Sequence, residues 1–217
     1  MPKGLMQSGK AMADDALSGD VRALARRIGG VPQSGATPAA SAVGSHLPSA
    51  SVNWRVWVTG YAREVVIAQE WPAVVAAWSH ASAGRVDALL DLDRSWGARM
   101  GMQPLAEASF RAGQRQLNRL RPLKEVRLIQ RYIAAVEAGK AHGWHPMVYG
   151  VMLAVFALPL RQGLVHYAEQ VLGGLIEGIP DAGRLPETER SRLLEEIGAE
   201  LPPALGRLLP ALQPVVV

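Results

Sequence analysis

From Asn53 onward, apolar residues recur at intervals of three and four positions, and the runs stop at a glycine or a proline. The first run consists of Trp54, Trp57, Val58, Tyr61 and Val65. This spacing lines apolar side chains along one side of a helix. No run alternates apolar and polar residues between turn-forming pairs, so no strand is predicted. The pattern therefore predicts an all-α fold, with a single compact multi-helix domain.

Prolines and glycines mark the expected helix boundaries. A proline is tolerated in the first turn because the N–H that it lacks has no partner there, and a glycine commonly follows the last turn. Further helices are expected to begin at or near Pro72, Arg85, Pro104, Pro122, Pro146, Pro159 and Pro186. Expected helix ends are Gly84, Gly101, Gly139, Pro180 and, for the last helix, the pair Pro202 and Pro203.

The chain changes character near residue 52. Every Trp, Tyr and Phe lies beyond Val52, whereas residues 1–52 are rich in Ala, Gly, Ser and Pro. Such a segment can bury little apolar surface. We predict a flexible N-terminal segment over 1–52, with a short amphipathic helix at 17–28 and a linker at 31–51, followed by the folded domain over 53–217.

Composition argues against several classes of function. The 23 basic residues exceed the 19 acidic ones by only four and are spread along the chain. Nucleic acid usually requires a clustered basic face, so no nucleic-acid partner is expected. The absence of cysteine excludes disulfides, Cys-ligated zinc and Cys nucleophiles, and fits a reducing compartment such as the cytoplasm.

The most apolar stretch, WHPMVYGVMLAVFALPL, covers residues 144–160. It is slightly short for a membrane span, and His145, Pro146 and Pro159 interrupt its two ends. A helix that is apolar on all sides is normally buried, so we predict a central core helix. Burial in an oligomeric interface and membrane association are the alternatives.

Sequence motifs for catalysis are missing. The sequence contains no GxxxxGK[ST] phosphate loop, no GxGxxG and no GxSxG elbow. Asp87, Asp91 and Asp93 lie close together in sequence, and we interpret them as part of a solvated helix face. A protein that is not an enzyme is therefore predicted.

His142 and His145 form an HxxH pair, and His166 follows nearby in sequence. Imidazoles bind nickel and zinc, so a metal- or small-ligand-binding helical protein that uses these three residues is the alternative hypothesis. The pair lacks the helical HExxH arrangement, however. We favour a surface histidine at one position and a helix-capping histidine at the other.

Basic residues recur every four positions in the helix expected after Pro104. Arg111, Arg115 and Arg119 form this stripe, and Glu107 precedes Arg111 by one turn. The stripe is either a solvated face, supported by a Glu107–Arg111 pair worth about 0.3–0.5 kcal/mol, or a docking surface for an acidic partner. The spacing alone does not separate these two interpretations.

Two segments carry a family resemblance. EASFRAGQR at 107–115 and HPMVYG at 145–150, followed by an apolar helix, by LPLR at 158–161 and by Tyr167, resemble the UreF family of urease accessory proteins. The resemblance covers about residues 53–180. The family's glycine-rich N-terminal loop has no counterpart within residues 1–52.

The resemblance implies an all-α, non-enzymatic scaffold that helps nickel enter apo-urease. It implies a homodimer that binds the UreD (or UreH) chaperone and recruits the GTPase UreG. The chain itself would need no cofactor, because nickel and GTP would be bound by partner proteins. The resemblance points to these partner-binding residues: Glu107, Ser109, Arg111, Gly113, Arg115, His145, Pro146, Gly150 and Tyr167.

Overall fold

Helices form all of the regular structure in the ranges that the computed structural model describes, which are residues 53–100, 105–179 and 185–212. The predicted all-α fold is confirmed for these ranges. The expected helix at 17–28, the linker at 31–51 and the helix end at Gly101 lie outside the described residues. The helices are α1 (Trp54–Tyr61), a π-helical segment (Ala62–Glu70), α2 (Trp71–Ser82), α3 (Val86–Met100), α4 (Ala106–Leu120), α5 (Arg127–Glu137), α6 (His145–Val155), α7 (Leu160–Glu177) and α8 (Glu187–Leu212).

The first three helical elements follow one another without a turn. The Asn53 side chain caps α1 by accepting the Val56 N–H at 3.2 Å. At the other end of the π-helical segment, the Trp71 N–H bonds to the Val66 carbonyl, five residues back. Pro72 does begin α2 as predicted, but no break precedes it. The wider π turn provides a physical reason, because it gives the proline ring more room beside the preceding carbonyls.

Glycine ends two helices as predicted, whereas the helix start predicted at Pro122 was wrong. Gly84, which follows α2, and Gly139, which follows α5, have positive φ angles of 66° and 68°. The helix expected at Pro122 begins only at Arg127. The chain between α4 and α5 instead forms a turn, in which the Val126 N–H bonds to the Leu123 carbonyl at 3.2 Å.

Helix α6 occupies the centre of the molecule and packs against α2, α4 and α7. Its residues 146–153 are all buried, so the predicted core helix is confirmed. Gly150 lies at the crossing with α2, where an added Cβ would come within 2.5 Å of the Val74 carbonyl oxygen. Within the described ranges, no helix has both the length and the apolar character that a membrane span requires.

Helix α8 continues through Pro202 and Pro203, so the predicted break is wrong. Both prolines are exposed, and the carbonyl groups that they leave without a helical N–H partner can bond to water on this side. The opposite side of the helix buries Leu201, Ala204 and Leu205 in the core. Tertiary packing of this apolar side therefore outweighs the local cost of the prolines.

Candidate partner-binding site

The outer side of α4 carries the basic stripe. The Arg111 Nε donates to the Glu107 Oε1 at 2.7 Å, and about half of each side chain is exposed. Arg115, one turn further on, is exposed and has no carboxylate partner among the described residues. The stripe therefore offers at least one unpaired guanidinium group that could bind a carboxylate of another molecule.

The inner side of α4 is in contact with the loop at 141–144. A Cβ on Gly113 would overlap the Gly143 carbonyl oxygen and would approach the His145 backbone nitrogen to 2.7 Å. Only glycine fits this contact without a shift of the backbone. Ser109 is half-buried one turn earlier, and its hydroxyl has no hydrogen-bond partner among the described residues.

Asp93 of α3 holds this loop in place. Its carboxylate is completely buried and accepts the backbone N–H groups of His142 at 2.6 Å and Gly143 at 2.9 Å. It also accepts the hydroxyl of Tyr132 from α5. Gln114 of α4 donates to the His142 carbonyl oxygen at 2.6 Å. Three helices thus fix the loop that leads into α6.

Three aromatic rings meet where α6 begins. The His145 ring stacks on Tyr167 with centroids 4.9 Å apart, and Tyr149 contacts Tyr167 edge-on at 5.0 Å. Burial lowers the pKa of His145 to about 4, so this imidazole is neutral at pH 7. Pro146 is buried in the first turn of α6. This cluster anchors α6 to α7.

The predicted partner-binding residues differ in how far they are exposed. Glu107, Arg111 and Arg115 are exposed, and Ser109 and His145 are half-buried. The buried positions are Gly113, Pro146, Gly150 and Tyr167. The exposed residues lie on the surface of α4, where a partner can reach them, whereas the buried ones shape the packing of α4, α6 and α7. Partner binding by these residues stays a prediction.

The three histidines of the alternative hypothesis lie in separate environments. The His142 side chain is half-exposed, with its Nδ1 3.5 Å from the Asp93 Oδ1. His145 stacks on Tyr167, whereas His166 is buried and its Nε2 lies 3.1 Å from the Gln170 amide nitrogen. No group of three or more His, Asp or Glu side chains among the described residues is placed to hold a metal ion.

Two buried carboxyl groups, Asp93 and Glu70, were not predicted from the sequence. Asp93 was assigned to a solvated face, but it continues the apolar stripe through Val86 and Leu89, and that spacing was the available signal. Asp87 and Asp91 are exposed, as expected. Glu70 was also missed; it follows the buried Val66 by four residues.

The described helices and the exposed stripe of α4 define an all-α protein with a charged face available to other molecules. The UreF family profile matches residues 51–180, which is more than half of the chain. The chain therefore belongs to the UreF family, a family of urease accessory proteins. This match confirms the resemblance that covered residues 53–180. Comparisons with curated proteins and with solved structures found no match.

Proposed function

We propose that this protein is a non-catalytic scaffold for urease maturation, which bridges the UreD (or UreH) chaperone and the GTPase UreG and thereby helps nickel enter apo-urease. The observation that carries the proposal is the family match over residues 51–180. This range includes α1 to α7 and both segments in which the resemblance was found. In this proposal the protein works in the cytoplasm as a homodimer, and nickel and GTP are bound by its partners.

The surface of α4 is the proposed docking site. Arg111 and Arg115 present guanidinium groups on the exposed side of a helix whose inner side is fixed against the core. A rigid helix that carries Arg is well suited to pair with carboxylates of a protein partner. The buried Gly113 and Gly150 would act indirectly, because they set the positions of α4 and α6.

The binding test mixes the purified protein with UreD and UreG and measures complex formation by size-exclusion chromatography, with UreG in its GTP- and GDP-bound states. The variants Arg111→Glu and Arg115→Glu reverse the proposed docking charges. Arg127→Glu makes the same charge change on the exposed surface of α5 and is the matched control. We expect the α4 variants to weaken the complex at least tenfold, about 1.4 kcal/mol, and the control to bind normally.

A cellular test measures urease activity in cells that express the urease genes without their own UreF. This protein should restore activity, and the α4 variants should restore less. Failure to form a complex in either nucleotide state, together with no restored activity, would contradict the proposed function. Normal binding by both α4 variants would place the docking site elsewhere.

A further inference from the structure

Glu70 is a buried carboxyl at the end of the π-helical segment. Only 2% of its surface is exposed, and its Oε2 makes no hydrogen bond with any described residue. The hydroxyl of Tyr167 is buried nearby and also lacks a hydrogen bond of normal geometry. Burial raises the pKa of Glu70 to about 7, and the Tyr167 hydroxyl partly opposes this effect. Burial without a compensating charge favours the neutral acid.

The groups that face Glu70 are aromatic rather than cationic. Tyr61 approaches from α1 and Tyr167 from α7, and burial raises the pKa of both phenols. Behind Tyr167 lie His145 and Tyr149 of α6. The His145 imidazole is neutral at pH 7, so it does not supply a positive charge. The carboxylate form of Glu70 would therefore be buried among phenols without a counter-ion from the described residues.

The charged groups near this segment interact with residues other than Glu70. Arg63, in the same π-helical segment as Glu70, is exposed and donates from its Nε to the Glu200 Oε2 of α8 at 2.8 Å. Burial raises the pKa of Tyr149, and the α7 carboxylate Glu169 raises it further. Neither Arg63 nor Glu200 contributes to the raised pKa of Glu70.

The backbone at Glu70 is π-helical rather than α-helical. The π-helical segment Ala62–Glu70 has an α-helix on each side. π-Helices are rare, usually short and often found at functional sites. A change of this segment from π to α register would alter the direction in which Glu70 points, because the two helices differ in residues per turn. The segment packs against α7 and α8, so such a change would reach both helices.

We propose that Glu70 is a proton-linked switch, in which the neutral acid holds the π-helical segment in place and release of its proton to solvent loosens this segment and its contacts with α7 and α8. This switch would operate in the isolated protein and does not depend on the proposed partner proteins.

The raised pKa of Glu70 determines how its contribution to stability changes with pH. The folded protein binds the Glu70 proton more tightly than the unfolded chain, so this contribution is greatest at low pH and is lost as the pH rises from about 4.5 to about 7. His145 acts in the opposite direction, because its pKa is lowered and acid favours the unfolded chain. The two effects on stability largely cancel in the wild type. The test must therefore compare the wild type with a variant that lacks the Glu70 carboxyl.

The experiment measures urea unfolding of the full chain at pH 5, 6, 7 and 8 for the wild type and for Glu70→Gln. From the pKa of about 7, we expect the ratio of their unfolding equilibrium constants, wild type over variant, to rise roughly 50- to 100-fold between pH 5 and 8. Glu64→Gln is the matched control, because Glu64 is exposed in the same segment. Its ratio should stay constant.

Hydrogen exchange locates the change. After correction for intrinsic rates, amides at 62–70 should lose more protection above pH 7 than those of α5 in the wild type, and this difference should be absent in Glu70→Gln. The proposal would be overturned if the ratio of unfolding constants did not vary with pH. It would also be overturned if the amides at 62–70 and those of α5 lost protection equally.

A direct titration keeps the proposal testable if Glu70→Gln does not fold. Carbon-detected NMR of the wild type follows the Glu70 carboxyl, and a midpoint at or above about pH 6 supports the proposal, whereas a lower midpoint overturns it. Tyr167→Phe should raise the midpoint because the hydroxyl that favours the carboxylate is removed. Tyr149→Phe, a change to another buried phenol of the cluster, should leave it unchanged.

Discussion

Two buried carboxyl groups in this protein differ in the number of donors that reach them. Asp93 accepts two backbone N–H groups and one phenol, whereas the Glu70 Oε2 has no donor. A buried carboxylate is stable only when its oxygen atoms are hydrogen-bonded or paired. Asp93 therefore fixes structure, whereas Glu70 is buried without a donor at its Oε2 and burial raises its pKa to about 7.

Replacement of Asp93 tests its role as the anchor of the loop at 141–144. Asp93→Asn keeps the shape of the side chain but places an amide donor among three donors. We expect a loss of about 2–4 kcal/mol in the free energy of unfolding, measured with urea. Asp91→Asn removes an exposed carboxylate from the same helix and should change stability by less than about 1 kcal/mol. Equal effects would contradict the anchoring role.

Glycine substitutions test the contact between α4 and the loop. Gly113→Ala places a methyl group against backbone atoms, and we expect a loss of about 2–3 kcal/mol in thermal or urea unfolding. Gly173→Ala is the control in α7, where no atom lies within 4 Å of the added carbon. That change should stabilise the protein by about 0.5–1 kcal/mol. Similar effects of the two changes would show that the loop can move away.

Helix α8 is held by tertiary packing in spite of its local sequence. Its prolines predicted an end at Pro202, yet the helix continues to Leu212 because one side is buried against the core. The ion pairs Arg55–Glu196 and Arg63–Glu200 also connect α8 to α1 and to the π-helical segment. Both pairs are exposed and contribute little, so apolar burial holds the helix.

Alanine substitutions in α8 separate these contributions. Leu201 is 1% exposed, and we expect Leu201→Ala to cost about 2–5 kcal/mol in the free energy of unfolding. Leu194 is 37% exposed in the same helix, so Leu194→Ala should cost less than about 1 kcal/mol. If Leu201→Ala were equally mild, α8 would not be held by its apolar side.

Helix α6 joins the two apolar clusters of the described fold. Tyr149, Met152 and Leu153 belong to one cluster, and Met147 and Val151 belong to the other. A single helix that contributes to both clusters couples their stabilities. The aromatic contacts at the start of α6 therefore affect the entire described fold.

The lowered pKa of His145 predicts how the stability of the protein changes with pH. Its pKa of about 4 means that the unfolded chain takes up a proton between about pH 6.5 and 4 before the folded protein does, so His145 reduces stability as the pH falls. His145→Gln should remove this term, and the variant should become relatively more stable at pH 5 than at pH 8. The measurement is urea unfolding at both pH values. His142→Gln, on a half-exposed histidine, is the control, and an identical change in both variants would contradict the prediction.

The local spacing of apolar residues was sufficient to predict the helices and much of the core. In α7, Leu164, Ala168, Leu172 and Leu175 follow one another at intervals of three and four residues and are all buried, because this spacing places side chains on one side of a helix. The same holds for the exposed Arg stripe of α4. The family match over residues 51–180 likewise depends on the order of residues along the chain.

The all-α class, most helix positions and the family could be predicted before folding is considered, since they depend on the spacing of residues along the chain. Three other properties could not be predicted in this way: which polar groups are buried, which glycines lie in close contact and whether α8 continues past its prolines. Each of these outcomes depends on atoms contributed by distant segments. Asp93 accepts hydrogen bonds from a loop about 50 residues away, and Gly150 packs against α2. The environment of Glu70 likewise arises only when α1, α6 and α7 come together, because desolvation is a property of the packed molecule.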